Sequence, residues 1–218
     1  WLTEHVPVFP PEGVLSVAQD RLSEKRLFQE LGIDTAPFEP VDTRAQLDDA
    51  ASRLGFPCVL KTRRFGYDGK GQWVLRSPAD HGSLPAELWS GGGERANLIL
   101  EGFVPFVREL SIIGIRSRTG EEAFYPLTQN IHREGILRES LAPAPNISPI
   151  EQGRGEEISR RVLDRTGYVG VLAIELFELP GGMLLANEMA PRVHNSGHWT
   201  IEGAACSQFE NHLRAVCS

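Results

Sequence analysis

A basic loop with three glycines is predicted at residues 60–72, which read LKTRRFGYDGKGQ after an apolar run. Four of the chain's 22 lysines and arginines lie within ten positions here, namely Lys61, Arg63, Arg64 and Lys70. Glycine lets backbone N–H groups approach an anion closely, and the basic side chains supply charge and forked donors for phosphate. The loop therefore predicts binding of a polyphosphate such as a nucleotide; a basic surface hairpin is the alternative. Its spacing matches neither the P-loop nor the G-x-G-x-x-G motif.

Two apolar segments flank Gly181-Gly182, and each carries one glutamate. Gly-Gly is a hairpin signal, and with these glycines at the centre of the turn Glu175 lies directly opposite Glu188. Like charges at cross-strand positions repel, so a shared proton, a basic side chain or a divalent cation must neutralise them. Beside a phosphate-binding loop, Mg²⁺ is the simplest choice. The alternatives are a one-residue slip that separates the glutamates, or an ion pair with Arg192.

Polar side chains are dense in residues 187–199, which read NEMAPRVHNSGHW. Arg192, His194 and Asn195 could together hold a small anion or a reacting carboxylate. A hydrated loop is the alternative. No His/Cys cluster has zinc spacing, and no serine or cysteine lies in a recognisable nucleophile motif.

Composition favours an ordinary globular protein, with 41% hydrophobic and 23% charged residues and a net charge of -7. This acidic balance disfavours nucleic-acid binding. No apolar run approaches the roughly 18 residues that cross a bilayer, and residues 1–5 do not resemble a secretory signal. The three cysteines form no C-x-x-C pair, so we expect a cytoplasmic protein, with Cys58 as a buried packing residue.

The elements that position these groups are predicted from periodicity, caps and breakers. In the first half we expect a helix at 16–31, a strand at 38–41, a Thr43-capped helix that ends before Gly55, strands at 56–62 and 72–75, and a flexible tip at Gly91–Gly93. In the second half we expect strands at 97–103, 107–117, 122–132 and 135–142, a Ser148-capped helix at 149–166, the glutamate hairpin, and a helix near 203–217. Antiparallel strand runs with helices between them indicate an α+β protein rather than a doubly wound parallel sheet.

The chain resembles the ATP-grasp enzymes, and among them the N5-carboxyaminoimidazole ribonucleotide synthetases of purine biosynthesis. The matching stretches follow the family's order and cover most of residues 18–215: 18–22, 60–72, 125–132, 167–171, 187–200 and 207–215. The run at 188–199 is the most specific of them. The resemblance implies an ATP-grasp fold, with ATP and Mg²⁺ held between two α+β lobes.

The resemblance also implies roles for individual residues. Positions that match the family's nucleotide site are Arg21, Lys61, Gly66, Tyr67, Asp68, Gly69, Lys70, Gly71, Gln72, Glu101, Gly102, Phe103, Val104, Glu109, His132, Asn187 and Glu188. Within this set, 66–72 match the loop over the phosphates, 101–104 the hinge strand beside adenine, and Glu109 the acceptor of the ribose hydroxyls. Glu175 and Glu188, with Asn187, match the Mg²⁺ ligands.

The reacting groups are implied in the same way. Tyr67 and Asp68 match positions near the aminoimidazole substrate, and Arg192, His194 and Asn195 match the region of bicarbonate and its phosphorylated form. The implied reaction is ATP-dependent carboxylation of 5-aminoimidazole ribonucleotide by bicarbonate through carboxyphosphate, giving ADP and phosphate. Alternatives are another ATP-grasp ligase, such as the formate-dependent glycinamide ribonucleotide transformylase, or a non-catalytic nucleotide-binding module.

The chain departs from the family in two respects. Phe65 stands where many members have glycine, and the family's N-terminal and C-terminal flanking domains are absent from these residues. We expect a connection with a lead-in helix at 1–32, a small lobe at 33–104 and a large lobe at 105–218. The resemblance further implies a homodimer in the full-length protein. From the net charge and the lack of a long apolar run we expect no nucleic-acid or membrane partner.

Overall fold

A computed structural model describes residues 5–66, 70–89 and 96–218. The helices are α1 (Glu12–Ala18), α2 (Arg21–Glu30), α3 (Arg44–Leu54), α4 (Pro149–Thr166), α5 (Thr200–Gly203) and α6 (Gln208–Cys217). The strands are β1 (Phe38–Val41), β2 (Cys58–Thr62), β3 (Gln72–Leu75), β4 (Leu98–Gly102), β5 (Arg108–Arg116), β6 (Glu122–Phe124), β7 (Thr128–Arg133), β8 (Ile136–Leu141), β9 (Gly170–Glu178) and β10 (Leu184–Ala190). Short 3-10 helices lie at Pro78–Ser83, Ala86–Trp89 and Asn195–Gly197.

Two antiparallel sheets confirm the α+β prediction. The first has the strand order β1-β4-β2-β3, and the second has the order β10-β9-β5-β7-β8, with β6 paired to β5. Helix α3 covers the first sheet through Leu47 and Ala50, which pack with Leu60 and Leu100. Cys58 is fully buried in this core, as predicted. The domain boundaries expected at 32/33 and 104/105 stay predictions.

The second sheet has different environments on its two faces. One face packs Ile112 and Ile174 against Val162 of α4 and Phe28 of α2 in the largest core cluster. The other face packs Ile113 and neighbouring residues against α6. Strand alternation then places Glu109, Ser111 and Glu175 on that second face, beyond the part covered by α6. The strand pattern therefore leaves a polar surface at one end of an otherwise apolar sheet.

The single helix predicted at 16–31 is wrong, because the chain divides there into α1 and α2. Asp20 has an extended conformation, with φ -128°, and its side chain accepts hydrogen bonds from the backbone N–H groups of Leu22 and Ser23. An aspartate that caps the following helix ends the preceding one, since the N-cap residue lies outside helical φ/ψ. The apolar spacing continued across this break and concealed it.

The strand predicted at 122–132 is also interrupted, at Pro126, and forms β6 and β7. Proline cannot donate to a sheet, and the next N–H, that of Leu127, donates to Gln152 of α4 instead. The capping boxes at Thr43 and Ser148 confirm the two predicted helix starts. The last long helix begins later than predicted, at Gln208, where Ser207 is its cap. The predicted tip at Gly91–Gly93 lies outside the described residues.

Within the described residues, no helix combines the length and apolar character that crossing a bilayer requires.

Candidate nucleotide and metal site

A cleft of about 690 Å³ is lined by residues of both sheets and of α2. Most of the predicted site residues line it: Arg21, Lys61, Gly66, Lys70, Gln72, Glu101, Gly102, Phe103, Val104, Glu109, His132, Glu175, Asn187, Glu188, Arg192, His194 and Asn195. Gly71 lies beside Thr62 and does not line the cleft. Tyr67, Asp68 and Gly69 lie outside the described residues. The fold thus brings together groups that are more than 170 positions apart in the sequence.

The predicted pairing of Glu175 with Glu188 is confirmed, although the predicted turn is wrong. The N–H of Leu179 donates to the carbonyl of Met183, so the loop holds three residues rather than a two-residue Gly-Gly turn. This shifts the ladder by one residue as far as Ala186. A β-bulge at Asn187 then restores the predicted register.

The bulge at Asn187 decides which face Glu188 occupies. Ala186 pairs with Leu176 and is buried in the core cluster on the helix-covered face. Regular alternation would place Glu188 on that same apolar face, because side chains two positions apart point the same way. The extra residue turns Glu188 to the cleft face instead, opposite Glu175.

Arg21 neutralises one member of the carboxylate pair. Its Nη1 donates to Oε2 of Glu188 at 2.7 Å, whereas Nη1 of Arg192 donates to the carbonyl of Val193. Burial alone would raise the pKa of Glu188, but the charge and hydrogen bond of Arg21, together with the Lys61 charge, hold that pKa below its usual value. Burial and the Glu188 charge raise the pKa of Glu175 to about 7. The two carboxylates therefore differ in pKa, with Glu175 the more easily protonated, and a further positive charge beside Glu175 would stabilise its ionised form.

The carboxylate pair fits a magnesium ion. Oδ1 of Asn187 is buried and has no hydrogen-bond partner among the described residues, and Asn187 lines the cleft beside Glu188. Two carboxylates and an amide oxygen are the hard ligands that Mg²⁺ prefers, with phosphate and water completing its coordination. The described ranges contain no cluster of three or more His, Cys, Asp or Glu side chains with metal-binding geometry.

A buried chain of hydrogen bonds determines which ring nitrogen of His194 carries the proton. Asn130 Nδ2 donates to Ser111 Oγ at 3.0 Å, and Ser111 Oγ donates to Ser196 Oγ at 2.8 Å. His194 Nδ1 lies 2.9 Å from Ser196 Oγ and accepts from the Ser196 N–H. The ring proton therefore resides on Nε2, which is 3.4 Å from Oε1 of Glu175. Burial and the nearby Arg192 charge lower the pKa of His194 to about 4, so the ring is a neutral donor.

The basic loop is anchored to the start of α2. Arg63 donates through Nε and Nη2 to the carboxylate of Asp20, and Arg64 Nε also reaches it at 3.3 Å. Phe65 follows with φ 62° and is 94% exposed. An aromatic residue rarely adopts this left-handed conformation, which glycine adopts without strain. The backbone therefore accounts for the glycine that many family members have at this position.

Glu101, which lines the cleft, pairs with two lysines. Lys61 Nζ donates to Oε2 of Glu101 at 2.8 Å, and Lys25 Nζ lies 3.6 Å from the same oxygen. Lys25 is only 1% exposed, and burial lowers the pKa of its ammonium. For Glu101, burial would raise the pKa, but the two lysine charges hold it below its usual value.

A histidine–glutamate pair and an aromatic pair lie elsewhere in the cleft. His132 Nδ1 is 2.7 Å from Oε2 of Glu109, and this hydrogen bond raises the pKa of His132. Phe106 stacks on Phe177 with ring centroids 4.7 Å apart and planes 7° apart. This apolar portion beside Phe103 suits a flat ring such as a nucleobase.

Sequence reasoning missed several residues that build the site: Asp20, Glu24, Lys25, Phe106, Ser111, Asn130, Phe177 and Ser196. The two phenylalanines carry no local signal. Glu24 and Lys25 lie at i+3 and i+4 from Arg21, a spacing that places all three on one helix face. That spacing was the available clue.

We expect stability to fall between pH 6.5 and 8. The pKa values of Glu175 and Glu24 are raised from the usual 4.5 to about 7 and about 8. Their contributions are fully present below pH 4.5 and are lost as the pH rises through these folded-state values. His194 acts oppositely, but only between about pH 4 and 6.5.

Glu175→Gln tests this pH dependence. Urea unfolding at pH 6.5, 7.2 and 8 should show a loss of unfolding free energy that is about 1 kcal/mol smaller in the variant than in wild type. Glu139→Gln removes an exposed carboxylate that pairs with Arg133 and should follow wild type. Parallel pH profiles for wild type and Glu175→Gln would contradict the raised pKa.

Residues 26–209 match the ATP-grasp domain family, and the chain belongs to that family. Its particular similarity is to N5-carboxyaminoimidazole ribonucleotide synthases. The Pseudomonas aeruginosa enzyme is 56% identical over 99% of this chain and 58% of its own length. The Escherichia coli enzyme is 44% identical over 96% of this chain and 57% of its own length.

Solved structures give the same result and confirm the ATP-grasp fold. The N5-carboxyaminoimidazole ribonucleotide synthetase from Thermus thermophilus has a TM-score of 0.89 and 53% identity, covering 99% of this chain and 57% of that one. The Aspergillus clavatus synthase, in complex with ADP and 5-aminoimidazole ribonucleotide, has a TM-score of 0.86 and 28% identity, with 99% and 55% covered. The chain thus spans somewhat more than half the length of these relatives.

Proposed function

We propose that the protein containing this chain carboxylates 5-aminoimidazole ribonucleotide, using ATP and bicarbonate. The observation that carries the proposal is one cleft in which the Glu175–Glu188 pair lies beside Arg192, His194 and Asn195. A metal-binding carboxylate pair next to anion-binding donors suits the transfer of a phosphoryl group to a small carboxylate. The choice of substrate is supported by the relatives named above, one of which is bound to ADP and this aminoimidazole.

The nucleotide end of the cleft would be organised by residues of both sheets. The base would lie near Phe106 and the backbone of 101–104, and Glu109 would accept the ribose hydroxyls. Lys61 would offset charge on the phosphates. Glu175, Glu188 and Asn187 would hold Mg²⁺, which when bound neutralises the phosphate tail.

The reaction would proceed in two stages. An oxygen of bicarbonate attacks the γ-phosphorus, the bond to the bridging oxygen breaks, and ADP leaves. The amine of the aminoimidazole then attacks the carboxyl carbon of carboxyphosphate, the bond from that carbon to the phosphate oxygen breaks, and phosphate departs with the proton that the amine loses. Alternatively, carboxyphosphate first breaks the same bond to give CO₂ and phosphate, and the amine then attacks CO₂ and passes its proton to the phosphate. Arg192 and Asn195 would orient bicarbonate, and neutral His194 would present a proton donor without adding charge. The rate enhancement would come chiefly from positioning of the reactants and from electrostatic stabilisation of the transition state.

ADP release under four conditions tests the proposal. With ATP and Mg²⁺, release should rise on adding bicarbonate and rise further on adding 5-aminoimidazole ribonucleotide. Stimulation by formate and glycinamide ribonucleotide instead would favour the transformylase alternative. Nucleotide binding without any formation of ADP from ATP would favour a non-catalytic nucleotide-binding module. A homodimer of the full-length protein belongs to the same proposal, and sedimentation would test it.

Arg192→Ala should lower the bicarbonate-dependent rate by about 10²-fold or more while ADP affinity stays within about 3-fold, because its guanidinium serves the developing carboxyphosphate. Steady-state ADP release and calorimetric ADP titration measure the two effects. Arg214→Ala is the control, since the Arg214 and Glu210 side chains pair with each other on the exposed face of α6. A large loss of ADP affinity with a normal rate would argue against this role for Arg192.

A further inference from the structure

Strand β10 is an edge strand whose outer side faces α2 and the segment before β1. An edge strand has backbone N–H and C=O groups without a neighbouring strand, and such groups need partners when buried. At Ala186 the N–H donates to the carbonyl of Asp34 at 2.8 Å. The same residue's carbonyl accepts from Nζ of Lys25 at 3.4 Å.

The partner beyond the bulge is also a buried ionisable side chain. Oε1 of Glu24 accepts from the N–H of Met189 at 2.6 Å. Glu24 and Lys25 are adjacent on α2, and their two contacts lie on either side of Asn187. With Arg21 on Glu188, one helix face therefore contacts the strand before, at and after the bulge.

The position of Glu24 and Lys25 is energetically costly. They are 2% and 1% exposed, and burying a charged side chain costs several kcal/mol unless it is paired and hydrogen-bonded. An apolar residue would pack on a sheet edge at lower cost but would leave the carbonyl of Ala186 and the N–H of Met189 unsatisfied. These two hydrogen-bonding side chains fit a strand that departs from the regular ladder at this point.

The same helix also contacts the basic loop. The backbone N–H of Arg21 donates to the carbonyl of Arg63 at 3.0 Å, and the N-cap Asp20 binds the Arg63 side chain. A shift of α2 would therefore alter both the loop and the bulge.

We propose that Glu24 and Lys25 are positioning residues that hold the bulge at Asn187 and so keep Glu188 facing Glu175 and the metal. The proposal rests on the proposed function for the identity of the metal. Neither residue needs to touch Mg²⁺ or substrate. Residues that orient metal ligands typically change metal affinity about 10- to 100-fold when they are removed.

Variants of Glu24 test the proposal by two readouts. Glu24→Ala removes the acceptor, Glu24→Gln keeps a carbonyl acceptor in a side chain of the same length, and Glu24→Asp keeps the carboxyl group but withdraws the acceptor by one methylene. The control is Glu30→Ala, an exposed position on the same helix. Hydrogen exchange reports the Met189 amide without any ligand, and ADP release against Mg²⁺ concentration reports the metal site.

In Glu24→Ala and Glu24→Asp, exchange at Met189 should quicken about 10-fold or more, and half-saturation by Mg²⁺ should rise about 10-fold. The ATP KM at saturating Mg²⁺ should stay within about 3-fold. Glu24→Gln should restore both readouts to within about 3-fold of wild type, as Glu30→Ala does. If Glu24→Ala fails to fold, Glu24→Asp and Glu24→Gln carry the comparison.

If the Met189 amide exchanges faster in Glu24→Ala but half-saturation by Mg²⁺ is unchanged, the positioning role is overturned. Equal changes of both readouts in Glu24→Gln and Glu24→Ala would overturn it as well. Lys25→Met should show the same Mg²⁺ shift, with exposed Arg26→Met as its control. Wild type without Mg²⁺-dependent ADP release would instead refute the proposed function, and Met189 exchange would still report on the contact between Glu24 and the strand.

Discussion

Glu188→Gln should lose ATP turnover by about 10²- to 10³-fold while the protein stays folded. The variant keeps the shape of the side chain but removes the charge that, with Glu175, would hold Mg²⁺ against the phosphates; losses of this size follow removal of one electrostatic stabiliser in an active site. The Arg21–Glu188 pair is partly exposed, at 22% and 38% for the two side chains, so its loss should cost about 1 kcal/mol or less.

ADP release at saturating Mg²⁺ and urea unfolding measure the two parts of this prediction. Glu139→Gln removes an exposed carboxylate far from the pair and should match wild type in both. Equal turnover in wild type and Glu188→Gln, with both folded, would remove Glu188 from the metal site. A proportionate loss of stability and turnover would point to a structural role alone.

The pairing of Glu175 with Glu188 is predicted correctly from two errors that cancel. The turn holds one residue more than the Gly-Gly signal indicates, and the strand holds one extra residue at Asn187. Either error alone would have separated the glutamates. Local patterns locate the hairpin, but they do not determine its register where a bulge intervenes.

The reason for the bulge lies far away in the sequence. Its contacts with Arg21, Glu24 and Lys25 join residues separated by 167, 165 and 161 positions. Local signals succeeded where the physics is local, as in the capping boxes at Thr43 and Ser148. They failed at Asp20 because a cap and a continuing apolar stripe compete within the same few residues.

Family resemblance supplied what local patterns could not. It placed Arg21 and Glu101 in the nucleotide site without indicating how either side chain is held. The structure shows both as partners in ion pairs, Arg21 with Glu188 and Glu101 with Lys61. Residues predicted to bind the nucleotide therefore also hold α2 in place against the two sheets.

The buried lysines around Glu101 give the largest expected effect on stability. Glu101→Gln removes the carboxylate shared by Lys61 and Lys25, and should lower the unfolding free energy by about 3–5 kcal/mol, because a buried ammonium then loses its main counter-charge. Urea unfolding measures the loss. Glu39→Gln is the control, since its carboxylate pairs with the exposed Arg53 and should matter by about 1 kcal/mol or less.

The double variant Glu101→Gln/Lys25→Met separates the pairing of Glu101 with Lys25 from its other contacts. If the stranded Lys25 charge is the main penalty, the double variant should be less destabilised than the sum of the two single variants, by about 1–3 kcal/mol. Strict additivity would mean that Glu101 stabilises the protein through Lys61 or its other contacts rather than through Lys25, because glutamine keeps the size and shape of the side chain. In that case the Lys25–Glu101 pair would be incidental to how α2 is held against the two sheets. A favourable coupling would instead show that these charges fix the position of α2, and with it the start of the basic loop and the bulge at Asn187.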